Sequence, residues 1–266
     1  MGAEKDIKYA LNIINGKIIN KNYRPINFFP NRSLKTLKKF KISDKNVLTK
    51  LTSISEILDI ASYNGKINCY STNKLDKYFL VLIKEFLKLD YKEFKNLIFN
   101  SNDRLFYNQI KKYLDDETRM FFDEIYSKTR KNIFETKLCD TSKIDYNIIC
   151  NYVRYLLNFG YYDVQKNLQQ INYKYCSDNN ILSYFNDQYD FINLSYNIDN
   201  LEKEKMEYIL KKVKEIFFQV LSDNGKIQLF VGNKLIDFEN LKRIEVKSLN
   251  EQMEKDYAYI YRKISS

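Results

Sequence analysis

The 266-residue chain contains no histidine. Imidazole is the one side chain whose ordinary pKa lies near neutrality, so histidine acid–base chemistry, Ser-His-Asp or Cys-His activation and histidine-ligated zinc are all excluded. Cysteine is almost as scarce. Cys69, Cys139, Cys150 and Cys176 show no C-x-x-C spacing, which predicts four reduced, structurally inert thiols and no metal site. Glycine (6) and proline (2) are sparse, and the G-x-G-x-x-G pattern of dinucleotide enzymes does not occur. No run of about 18 apolar residues is present. The opening Met1-Gly2-Ala3-Glu4-Lys5-Asp6 has no apolar segment of the signal-peptide kind, and Asp6 stands where a myristoylation signal needs Ser or Thr. A cytoplasmic location is the expectation.

What the chain does have is apolar mass and positive charge. Hydrophobic residues make up 44% and aromatics 15%, enough for a large core. The net charge is +10, and lysines interleave with acids, as in Lys203-Glu204-Lys205. That interleaving predicts a solvated surface, makes nucleic acid the less expected partner and leaves peripheral membrane contact open.

Periodicity supplies the elements. Residues 1–45 carry a helical segment and the irregular stretch with Pro25 and Pro30, read as an N-terminal cap on a main domain spanning 46–266. Val47 to Thr52 alternates as a strand, a helix follows through Ile57, Leu58 and Ala61, and Lys66 to Ser71 forms a second strand. Strand, helix, strand at this spacing is a βαβ unit, which demands a parallel sheet and an α/β fold. Residues from about 90 to 170 read as a helical insertion. Asp90 to Glu93 has the form of a capping box. Sheet character returns at 171–175 and 189–195, a helix covers 201–221, Asp223-Asn224-Gly225 turns into another strand, and 241–249 with 256–263 would form a terminal hairpin.

This order of elements, with its final antiparallel pair, resembles the Rossmann-like fold of class I S-adenosylmethionine-dependent methyltransferases. A narrower resemblance runs through Val47-Leu48-Thr49, Tyr70-Ser71-Thr72-Asn73, Lys77-Tyr78-Phe79 and Leu89-Asp90-Tyr91-Lys92-Glu93-Phe94. These segments, with Asp190-Phe191-Ile192-Asn193-Leu194-Ser195-Tyr196-Asn197-Ile198, are similar to the DUF3419 family, which contains diacylglycerol 3-amino-3-carboxypropyl transferases. The resemblance implies S-adenosyl-L-methionine as cofactor and a small-molecule, lipid or glycan acceptor. It implies cofactor contacts at Thr52, Ser53, Ser55, Ser71, Asn73, Asp178, Asn193, Ser195 and Asn197.

The departures are specific. The loop Thr52 to Glu56 has no glycine to let the backbone approach a ligand, and Ser71 stands where the family places the acid that grips the ribose. Asp76, one turn into the next helix, is an alternative partner. Ser53 and Ser55 also suit helix capping, and Asp178 also suits a loop turn. Asn193, Ser195 and Asn197 form a polar cluster at a strand end that packing does not explain. Displacement at a sulfonium carbon needs positioning more than acid–base help. If a base is required, Asp190, Tyr196 and Asp199 are the candidates by sequence. Two readings stay open: an active methyl or 3-amino-3-carboxypropyl transferase, and a degenerate relative kept as a binding or partner subunit.

Overall fold

The structure is a computed structural model that describes residues 2–18, 42–51, 54–63, 66–100, 103–129, 157–194, 203–230, 241–246 and 258–263. Seven strands make one sheet: β1 Val47–Lys50, β2 Ile67–Ser71, β3 Asn172–Tyr175, β4 Tyr189–Leu194, β5 Leu221–Phe230, β6 Leu241–Val246 and β7 Ala258–Lys263. Their order is β3-β2-β1-β4-β5-β7-β6. The first five pair in parallel, and β7 runs antiparallel between β5 and β6. This mixed α/β sheet, with β7 inserted antiparallel to its neighbours, is the Rossmann-like arrangement expected from the order of elements in the sequence.

Eight α-helices are described: α1 Gly2–Ile14, α2 Ile54–Ala61, α3 Asp76–Phe86, α4 Tyr91–Asn100, α5 Asp103–Ile110, α6 Asp116–Lys128, α7 Asn158–Leu168 and α8 Lys203–Lys212. Helices α3 to α7 all lie between β2 and β3. The central strands are buried on both faces, so alternate residues feed two cores. Val47, Leu51, Ile67, Cys69 and Phe191 join α1, α2, α3, α6 and α7 in one. Leu48, Tyr70, Ile192, Leu194, Ile227, Leu229 and Tyr261 meet Ile209, Val213, Ile216 and Phe217 in the other.

Aromatic pairing fixes the insertion onto α3. Tyr78 stacks on Phe121 with centroids 3.9 Å apart, and Phe79 meets Phe122 edge-on at 5.4 Å. Such pairs each contribute about 0.5–1.5 kcal/mol beyond the area they bury. The Tyr78 hydroxyl also lies 3.1 Å from both Asp6 Oδ2 and Glu117 Oε1, and Lys74 and Lys77 pair with Asp6. Helix α1 is thereby tied to the segment that leaves β2.

Candidate functional site at the carboxyl edge of the sheet

In an open α/β sheet the polar ends of the strands emerge on one side, and ligands collect where the chain reverses its direction of winding. Here β1 is flanked by β2 on one side and β4 on the other, so the switch point lies between β1 and β4. Thr49 of β1 pairs in register with Asn193 of β4, and Asn193 Nδ2 donates to Thr49 Oγ1 at 3.2 Å. Asn193 is 1% exposed, yet its Oδ1 has no hydrogen-bond partner among the described residues. An orphaned buried acceptor costs about 1–3 kcal/mol, so this oxygen calls for a donor beyond the described residues.

A second cluster stands at the end of β2. Ser71 Oγ accepts from Asn73 N at 2.9 Å and donates to Asp76 Oδ2, while Asn73 Nδ2 donates to Asp76 Oδ1 at 2.9 Å. Asn73 Oδ1 accepts from Leu75 N at 3.1 Å, which turns the chain into α3. Burial raises the Asp76 pKa to about 7, and the hydrogen bonds from Ser71 and Asn73 act in the opposite direction. The first residue of α3 thus sets a carboxylate against position 71, at the end of β2.

Across β2, Lys50 at the end of β1 reaches Asp178 in the turn after β3. Its Nζ lies 3.2 Å from Oδ1 and 3.3 Å from Oδ2, and 5.9 Å from the centroid of the Tyr70 ring. Burial lowers the Lys50 pKa, against the attraction of Asp178. Lys50 escaped the sequence reading. Its only signal was a charged residue closing an apolar strand.

The sheet therefore brings Ser71, Asn73, Asp178 and Asn193 to one edge. Asp190 is not among them. It is the second residue of β4, at the amino edge, where its carboxylate accepts from Asn46 N at 3.0 Å and Ser222 Oγ at 3.2 Å. There it lines a polar cleft of about 390 Å³ with Asp44, Asn46, Lys66 and Asn172. Asp190 was a candidate base by its nearness in sequence to the polar end of β4; the length of the strand sets it at the opposite edge from Asn193, and that corrects it as a candidate base. Thr52, Ser53, Ser195, Tyr196, Asn197 and Asp199 lie outside the described residues, and Ser55 falls within α2 with its side chain outside them. Cys69 and Cys176 are free and buried, and burial raises both thiol pKa values. Among the described residues no helix is long and apolar enough to cross a membrane.

No known family profile matches the chain, and no curated protein matches it. Solved structures are similar to it at low identity. An rRNA methylase from Streptococcus thermophilus aligns at 7% identity over 88% of this chain and 98% of that one, with a TM-score of 0.42. A putative methyltransferase from Streptococcus mutans in complex with SAH aligns at 9% over 89% and 100%, with a TM-score of 0.40. An rRNA methyltransferase from Streptomyces viridochromogenes aligns at 6% over 92% and 88%, with a TM-score of 0.47. Two of these three are rRNA methyltransferases, which runs against the expectation that nucleic acid is the less expected partner.

Proposed function

We propose that this chain binds S-adenosylmethionine across the carboxyl ends of β1 to β4 and transfers its methyl or 3-amino-3-carboxypropyl group. The observation that carries the reading is the orphaned acceptor of Asn193 at the switch point of a methyltransferase-type sheet. The residues fit the cofactor's donors. Asp76, held by Ser71 and Asn73, offers a carboxylate to the ribose hydroxyls. Asp178 would accept from the adenine amino group, and Asn193 Oδ1 would accept from the amino end of the cofactor or from the acceptor group. The Thr52–Glu56 loop and the polar residues after β4 complete the site in this reading. When bound, the cofactor supplies an electrophilic carbon on a sulfonium that departs as a neutral thioether. The chain's own task is to orient that carbon and exclude water, which a site without histidine can perform. The narrower resemblance to the DUF3419 family favours the aminocarboxypropyl group.

A second reading, a non-catalytic binding subunit of the same fold, draws support from the Lys50–Asp178 pair, whose ammonium engages one of the proposed contacts. Thermal denaturation separates the two. S-adenosylhomocysteine at about 1 mM is expected to raise the melting temperature, as a ligand in excess of its Kd must. ATP and NAD should not. Absence of any shift with S-adenosylhomocysteine or S-adenosylmethionine would favour the binding subunit.

A further inference from the structure

The antiparallel wing of the sheet carries a row of like charges. Lys226 of β5 stands directly opposite Arg262 of β7, and Arg262 directly opposite Lys242 of β6. In-register neighbours project from the same face, so three cations line up at roughly 5 Å intervals, the spacing of adjacent strands. Ile227 and Tyr261, one residue away on their strands, enter the core beneath α8, so the row lies on the opposite face. Arg262 and Lys242 are exposed and Lys226 is half-buried. Burial lowers the Lys226 pKa, and Arg262 and Lys45 push it further down, so a fourth cation approaches the row from the residues before β1.

Like charges directly opposite each other on a sheet are destabilising. Arg262 spends one donor on the neutral Asn224 Oδ1, at 2.7 Å, and nearby Asp223 pairs instead with Lys263 at 3.6 Å. The row is one residue wide and straight, which suits a linear polyanion better than the plane of a lipid surface.

We propose that Lys226, Arg262 and Lys242 form a binding rail for the phosphate backbone of a single-stranded nucleic acid. The rail lies on the antiparallel wing, away from the candidate cofactor site, and stands whether or not the chain proves to be a transferase. Phosphate contacts of this kind position a strand without reading its sequence. Binding is therefore sequence-tolerant and strongly salt-dependent.

Fluorescence anisotropy with a labelled oligouridylate tests it. With three phosphates neutralised, the logarithm of the binding constant should fall against the logarithm of salt with a slope of about −2. Arg262→Gln/Lys242→Gln should weaken binding roughly tenfold or more at low salt and flatten the slope to about −0.7, while melting no lower than the wild type. The charge-matched control Lys111→Gln/Lys112→Gln, on the helical insertion, should bind as the wild type does. Lys242→Glu alone should weaken binding in the same direction. The rail is overturned if the row variant binds like the wild type, if the control loses as much, or if phosphatidylserine vesicles bind through the row while oligouridylate does not.

Discussion

Asp76 is an acid held by hydrogen bonds from Ser71 and Asn73. Because burial lifts its folded pKa to about 7, above the ordinary value of about 3.9, the unfolded chain ionises this group first. The folded state therefore binds more protons between those values, and its contribution to stability is fullest below about pH 4 and declines as pH rises towards 7. Asp76→Asn should remove this decline, so thermal melts of variant and wild type should diverge in the variant's favour between pH 5 and 8. Affinity for S-adenosylhomocysteine should move the other way, rising through about pH 7 as the carboxylate forms, and become flat in Asp76→Asn. Ser71→Asp, which the bare sequence recommends as a restoration, should instead set a second carboxylate against Asp76 and strengthen nothing. Lys50 and Asp178 are nearly buried, with side-chain exposures of 13% and 9%. Removing either alone strands a charge and should cost about 3–5 kcal/mol, whereas Lys50→Met/Asp178→Leu should recover most of it in a double-mutant cycle. That Ser71, Asn73, Asp178 and Asn193 share the carboxyl edge could be read from their places after parallel strands, while their part in binding remains the proposal. Asp190 fails as a base at the carboxyl edge because nearness in sequence to Asn193 is not nearness in space along an extended strand. Lys50 was missed because its meaning depends on a partner 128 residues away.

Local rules account for the elements that the sequence made readable. Asp90 Oδ1 accepts from Glu93 N at 2.7 Å and Glu93 Oε2 accepts from Asp90 N at 3.2 Å, the reciprocal capping box expected from those two residues. Asp90→Ala should lower stability by about 1 kcal/mol, measured by chemical denaturation. The Asp223-Asn224-Gly225 turn is present, but it lies inside β5 as an irregularity in the pairing with β4. Asn224 takes a φ of 62°, and a Cβ on Gly225 would meet the Ser222 carbonyl oxygen at 2.7 Å. Gly225→Ala should therefore cost about 1–3 kcal/mol as the turn is forced open. Helix α8 was foreseen as continuing regularly to 221; it gives way to a π-helical stretch, Val213–Phe217. Propensity does not mark that change, because it is the packing of Val213, Ile216 and Phe217 against the sheet that selects it.

For the whole molecule, the parallel sheet with its antiparallel end followed from one βαβ unit and a terminal hairpin, since the handedness of crossovers leaves few alternatives. The order of all seven strands required the structure. So did the surface: a charge of +10 spread along interleaved helices looks neutral in purpose until pairing across β5, β7 and β6 aligns three cations. The central claim is that the carboxyl edge holds an S-adenosyl ligand through Asn193 and Asp76. Calorimetric titration of S-adenosylhomocysteine into the wild type and Asn193→Leu tests it most directly. Because the first loop lacks glycine, the wild type should bind in the high-micromolar range, roughly −4 to −6 kcal/mol. Asn193→Leu should weaken this at least tenfold while leaving ligand-free stability within about 1 kcal/mol, since it also removes an unsatisfied acceptor. No heat from the wild type at millimolar ligand, or equal heats from both proteins, would contradict the claim.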